Sequence, residues 1–235
     1  MRRHGRFPHW IRVAAGLSGE EAVVVDVEHG EPLPSHGGHP GAAFAGVIVT
    51  GSGAMVTDRL EWSESSAKWL AAAARAGTPV LGICYGHQQL AHALGGEVGD
   101  NPAGREMGTV ELELLPAAAD DPLFAGLPGR FPAQATHMQS VLRAPEGATV
   151  LARSALDPCH AFRWGDAAWG VQFHPEFSVR HMRGYLHARS EALKREGKDP
   201  AALLHAVRAA PHAREVLRRF VRLARTLQPS NGDDR

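Results

Sequence analysis

The segment TPVLGICYGHQQLAHAL, residues 78–94, joins two kinds of pattern at a single cysteine. Thr78 to Ile83 is a short apolar run, which reads as a strand buried on both faces of a parallel sheet. Tyr85 to Leu94 reads as a helix closed by Gly95-Gly96. Between them, Gly82-Ile83-Cys84-Tyr85-Gly86 has the G-x-C-x-G spacing of a nucleophile elbow with cysteine in place of serine. A side chain on so sharp a strand-to-helix turn is pushed out above the carboxyl edge of the sheet. The turn crowds the residues two before and two after it, so Gly82 and Gly86 relieve clashes. The following helix aims its free N–H groups and positive dipole end at the sulfur, which favours thiolate over thiol.

Working outward, Ala45 to Thr50 is a second apolar run, bounded by Gly51 and Gly53, and predicts another doubly buried strand. Trp62 to Ala76 predicts an alanine-rich helix with Ser63 or Ser65 as N-cap and Gly77 as its stop. Val23 to Val27 is a β-branched run and reads as a strand, and Gly30 to Gly41, with three prolines, as a loop. Strands and helices alternating across short joints imply a parallel α/β sheet. Further on, Thr109 to Leu115 alternates polar and apolar residues, and residues 131–137, 148–153, 160–163 and 168–173 are more strand candidates. They predict an antiparallel section added to the parallel core.

Residues 180–226 carry 12 Lys/Arg against 4 acids, a local excess of 12 − 4 = +8. Two helices are expected there, roughly 179–196 and 200–227, interrupted near Gly197 and Pro211. Leu217, Phe220, Val221 and Leu223 form an apolar stripe, so the expected arrangement is amphipathic packing with arginines on the wet face. This divides the chain into an α/β domain over 1–179, a packed helical extension over 180–228 and a frayed tail over 229–235.

Composition narrows the function. The 235 residues are 44% hydrophobic and 21% charged, enough apolar area to exclude wholesale disorder. Equal numbers of basic and acidic residues, 25 each, give no argument for nucleic acid or a membrane surface. Two cysteines cannot build a disulfide framework, so a reducing, cytoplasmic setting is expected. The basic start, Met1 to Arg6, is followed by His9, Trp10, Arg12 and Glu20, which break any signal-peptide core. No apolar run approaches the roughly 20 residues of a membrane span. There is no P-loop, dinucleotide fingerprint or H-E-x-x-H. His36 and His39 lack a cysteine or acid partner nearby, and no metal or organic cofactor is expected.

A thiolate nucleophile needs a proton partner, and Gly170-Val171-Gln172-Phe173-His174-Pro175-Glu176 supplies one. In an extended chain residues two apart face the same way, so His174 and Glu176 can lie side by side. The carboxylate would then fix the tautomer of the ring and leave its other nitrogen toward the sulfur, 174 − 84 = 90 residues away in sequence. Two other residues are read as incidental: Cys159 lacks an elbow, and His87 would sit beside Cys84 rather than in line with it.

The motifs G-I-C-Y-G-H-Q and G-V-Q-F-H-P-E resemble the catalytic segments of the class I, triad-type glutamine amidotransferases, in particular their GMP-synthase-like members. The resemblance covers roughly residues 5 to 180. It implies a flavodoxin-like, mostly parallel sheet flanked by helices, and a triad of Cys84, His174 and Glu176 that hydrolyses the amide of glutamine or a γ-glutamyl compound through a thioester. It further implies oxyanion-hole amides at Tyr85 and at Ser52 or Gly51, where this chain reads G-S-G instead of the usual G-G-P. Gln88, His137, Gln139 and Ser140 match substrate-binding positions, with Gln139 standing where an acid is commoner. A separate synthetase chain that accepts the ammonia is the implied partner, a self-contained γ-glutamyl hydrolase or amidase the alternative, and a catalytically silent binding protein a third reading. Members begin with an apolar strand ahead of the segment resembling His4 to Ile11. Only three residues precede it here, so that strand is expected to be missing and its slot in the sheet unfilled.

Overall fold

The computed structural model describes residues 7–34 and 44–227. The His36/His39 pair, the start up to Arg6 and the 229–235 tail lie outside the described residues. Three parallel strands lie side by side: β1 (Val47–Val49), β2 (Val80–Ile83) and β9 (Ala168–Val171). An antiparallel run continues the same sheet through β8 (Ala161–Trp164), β7 (Ala148–Arg153), β4 (Glu106–Leu114) and β5 (Arg130–His137). Two further strands, β3 (Glu97–Asp100) and β6 (Gln139–Arg143), pair antiparallel in a small separate sheet. The expected α/β architecture is present, and its antiparallel section is longer than the parallel core that carries the cysteine.

Successive residues of a strand face opposite sides, and the core divides accordingly. Leu81, Ile83 and Trp169 join one cluster with α1 (Phe7–Ala15) and α7 (Pro211–Leu227). Val80 and Ala168 join the other, with α2 (Glu61–Arg75) and α3 (Tyr85–Ala93). Leu217, Phe220 and Val221 are buried as the stripe predicted, and the Phe220 ring meets Trp169 edge-on at 6.3 Å. A third cluster, formed by Trp10, Phe177, Met182 and Tyr185, joins α1 to α4 (Val179–Ala188).

Several expectations are corrected. Val23 to Val27 is not a strand: residues 22–26 are irregular, Val23 is 91% exposed, and Val27–His29 form a 3₁₀ turn capped by Asp26. A β-branched run makes a strand only with a partner for its backbone groups, and among the described residues no strand precedes Val47. That same slot leaves β1 at the edge of the sheet, half-buried rather than doubly buried. Helix α2 starts one residue earlier than read, behind Leu60, with no side-chain cap. Ser63 instead sits inside it and bonds the Tyr85 hydroxyl at 2.6 Å. The first C-terminal helix breaks at Arg189 into α4 and α5 (Ser190–Arg195). The second is interrupted where expected, ahead of Pro211, with α6 (Pro200–Ala206) ending before Val207.

Candidate active site

The carboxyl ends of β1, β2 and β9 lie adjacent, which brings the 51–53 turn, Cys84 and His174 to one edge of the parallel core. Ligands of open α/β sheets bind at this edge. Cys84 has φ 53 and ψ −103, a strained conformation for a residue with a Cβ. It is kept there by its neighbours: its N–H donates to the Val171 carbonyl at 2.8 Å, and α3 starts at the next residue. The glycines are required as the elbow predicted. A Cβ on Gly82 would lie 2.3 Å from the Gly86 carbonyl oxygen, and one on Gly86 2.4 Å from that of Val49.

His174 follows β9 by three residues, and its backbone N–H donates to the Gln134 carbonyl at 2.8 Å. Its Nδ1 donates to Glu176 Oε1 at 2.8 Å, the side-by-side pairing expected of residues two apart. Nε2 is buried without a hydrogen-bond partner, and the ring lies close enough to the Cys84 thiol for the two to interact. Burial disfavours a charged ring, yet the Glu176 carboxylate and the sulfur together push the His174 pKa up to about 10. Burial likewise opposes the thiolate, but His174, and after it His137, hold Cys84 below the ordinary thiol value. Both shifts favour a thiolate–imidazolium pair. The pair is not in open solvent as the elbow alone implied. Cys84 is 7% exposed and His174 1%, because Phe177 stacks on the imidazole at 4.2 Å and Phe7 lies over it at 5.8 Å.

Gly51 packs against the His174 ring, which a Cβ there would approach to 3.0 Å. The Ser52 hydroxyl accepts from the Ala54 N–H at 3.1 Å, closing the turn on itself. Tyr85 occupies the first position of α3. Gln88 is buried and its Nε2 donates to the Gln139 carbonyl at 2.7 Å and to Gln172 Oε1 at 2.9 Å, so only its Oε1 is left for a ligand. Gln139 Nε2 donates to Thr57 Oγ1 at 2.6 Å, and its Oε1 and the Ser140 hydroxyl are buried without a partner. His87 is buried beside Phe162 with neither ring nitrogen bonded, and burial lowers its pKa to about 4. Burial pushes the Cys159 thiol up to about 12.

Sequence reading missed a polar cluster behind the cysteine. Glu106 is paired across the strands with His137, and its Oε2 lies 3.0 Å from His137 Nε2 and 2.7 Å from His160 Nε2. Its Oε1 accepts from the Ser154 hydroxyl at 2.6 Å. The three residues come from separate stretches of chain, and only His137 is singled out by the sequence, in another role; no local motif announces Glu106 or His160. Their atoms are of metal-ligating type and lie within 4.8 Å of one another. The oxygen–nitrogen distances are those of hydrogen bonds, so protons fill the space an ion would need.

Among known proteins, a sequence model of the family "glutamine amidotransferase class-I" matches residues 18–190. The chain belongs to this family. The chain is 43% identical over 139 residues to a glutamine-hydrolyzing GMP synthase of Aeropyrum pernix, which covers 59% of this chain and 25% of that protein. It is 41% identical over 106 residues to a glutamine-hydrolyzing GMP synthase subunit of Methanothermobacter thermautotrophicus, covering 45% of this chain and 54% of that one. It thus spans about a quarter of one relative and about half of the other. In fold, the chain matches a glutamine amidotransferase structure from Methylobacillus flagellatus with TM-score 0.77 at 23% identity, over 97% of this chain and 92% of that one. A second, from Thermotoga maritima, matches with TM-score 0.73 at 24% identity, over 95% and 92%. Among the described residues no helix is long and apolar enough to cross a membrane.

Proposed function

We propose that this amidotransferase hydrolyses the carboxamide of glutamine or a γ-glutamyl compound through a cysteinyl thioester. The observation that carries the reading is Cys84 on a strained elbow, with the buried His174–Glu176 pair at the end of the neighbouring strand. The thiolate of Cys84 adds to the amide carbon, and the N–H groups of Tyr85 and of Ser52 or Gly51 receive the developing oxyanion. His174 gives its proton to the leaving nitrogen, so ammonia departs and a thioester remains. The neutral ring then takes a proton from water as the hydroxide adds to the thioester, and the collapse returns thiolate and a carboxylic acid. Glu176 keeps the ring in the tautomer both halves need. Gln88 Oε1, the backbone at His137, the Gln139 side chain and the Ser140 hydroxyl hold the amino-acid end of the substrate.

The sequence carries no S-G-G-x-D-S signature of an ATP pyrophosphatase, so an ammonia acceptor would be formed by residues outside it. Its relatives among GMP synthases, one of them a separate subunit in its own right, support a synthetase partner. The neutral Gln139, in place of an acid that would meet an ammonium group, favours a modified glutamine as the second reading. An ammonia-release assay over glutamine and γ-glutamyl amides tests both. Activity on some member of that series is expected, with Cys84→Ala reducing kcat at least about a thousandfold. Release that survives the substitution would mean another nucleophile. Low turnover of the isolated chain on every substrate supports the partner-dependent form, and immediate turnover of a γ-glutamyl amide supports the self-contained hydrolase.

A further inference from the structure

His137 has an acceptor at each ring nitrogen. Nδ1 lies 2.9 Å from the Gln139 carbonyl oxygen, which can only accept. Nε2 lies 3.0 Å from Glu106 Oε2. Glu106 itself is a carboxylate: burial disfavours its charge, but bonds from His137, His160 and Ser154 outweigh this and hold it well below the usual range. A neutral imidazole would therefore set a lone pair against a lone pair on one side or the other. His160 needs no second proton, because its Nδ1 has no partner.

We infer that Glu106 holds His137 as a buried imidazolium, a second positive group that, with His174, keeps the Cys84 sulfur ionised. The inference rests on the proposed role of Cys84 and names two residues that support it, His137 by its charge and Glu106 as the positioning residue for that charge. The Glu106–His137 pair is neutral overall, which makes its burial tolerable. Asp157 Oδ2 lies 4.0 Å from His137 Nε2. Cys84 is close by: its sulfur is 3.9 Å from the carbonyl oxygen of Thr136, the residue next to His137, and the two side chains interact electrostatically. Among the described residues, the other titratable groups near this region are His174, Glu176 and Tyr185 around the sulfur, His160 across Glu106, Cys159 beside Asp157, and His87, whose pKa burial lowers.

Two measurements test this. In the first, the alkylation rate of Cys84 by iodoacetamide is followed from pH 5 to 10 in wild type and Glu106→Gln. The variant's profile is expected to shift to higher pH, with a rate at pH 6.5 on the order of threefold to tenfold lower that recovers to the wild-type value in alkali. A merely structural loss would lower the rate at every pH, and coincident profiles overturn the inference. The second does not depend on the variant folding: ring ¹⁵N spectra of histidine-labelled protein at pH 8. Two imidazolium rings are expected in wild type, and one, that of His137, in His174→Ala. No imidazolium left in His174→Ala, or a divalent metal bound stoichiometrically at Nε2, overturns it. Failure of the catalytic reading has a different signature, namely ammonia release unaffected by Cys84→Ala, and leaves the state of His137 as measured.

Discussion

At the scale of the residue, two cysteines in one chain have opposite chemistry. Cys84 is held below the ordinary thiol value, so near neutral pH it carries more thiolate than a free cysteine would. Cys159, pushed up to about 12 by burial, remains a thiol through the whole working range. Mass mapping after treatment at pH 7 with a glutamine-like chloroketone should find label on Cys84 and none on Cys159. Glu176 offers a second test. Its carboxylate accepts from His174 Nδ1 at 2.8 Å, whereas the amide in Glu176→Gln can turn a donor toward that nitrogen and favour the wrong tautomer. The expected result is a loss in kcat of about 10²–10⁴-fold with KM and melting temperature little changed. A large fall in melting temperature would instead mark Glu176 as structural. Cys84, His174 and Glu176 were legible because each lies in a short local motif. Glu106, His160 and Asp157 were not, because a buried charge network is assembled by cross-strand register and loop packing, and neither leaves a spacing in the sequence.

At the scale of the element, the elbow was legible because its constraint is local. The clash that demands glycine at positions 82 and 86 follows from the backbone path through one tight turn. Gly86→Ala puts a Cβ 2.4 Å from the Val49 carbonyl oxygen, a backbone atom of β1 that cannot swing aside. The substitution should cost about 3 kcal/mol by overpacking and move Cys84 relative to His174. Denaturant unfolding and ammonia release should therefore fall together, and unchanged stability would mean that β1 is not where the fold places it. Elements whose formation depends on a distant partner were read less well. Val23 to Val27 has strand composition but no strand beside it among the described residues. β3 contains Gly99 and ends in Asp100, poor strand formers that are nevertheless paired because β6 lies alongside.

At the scale of the whole molecule, the basic C-terminal region poses the question of what its charge is for. The excess of +8 over residues 180–226 suits an anionic partner as well as a solvated face. Several of the arginines of α7 are occupied within the chain. Arg218 donates to the Ala14 carbonyl at 3.1 Å, joining α7 to the end of α1. Arg219 donates to the Ala125 carbonyl at 2.6 Å, Arg222 bonds Glu215 and Arg225 bonds Glu21. Beneath them, Val216, Leu217 and Phe220 are buried in the same cluster as Leu81 and Ile83, the strand that leads to Cys84. The helix therefore covers one face of the sheet, and without it the apolar side of β2 and β9 would face water. Phe220→Ala removes a fully buried ring that meets Trp169 and should destabilise the protein by about 3–5 kcal/mol. In urea this would read as a lower midpoint with an unchanged slope, since the surface exposed on unfolding is nearly the same. Ammonia release per folded molecule should survive, because the Phe220 ring meets Trp169 of β9 and is bonded to none of Cys84, His174 and Glu176. Unchanged stability would mean that α7 does not cover the sheet, and its arginines would then be free to serve a partner.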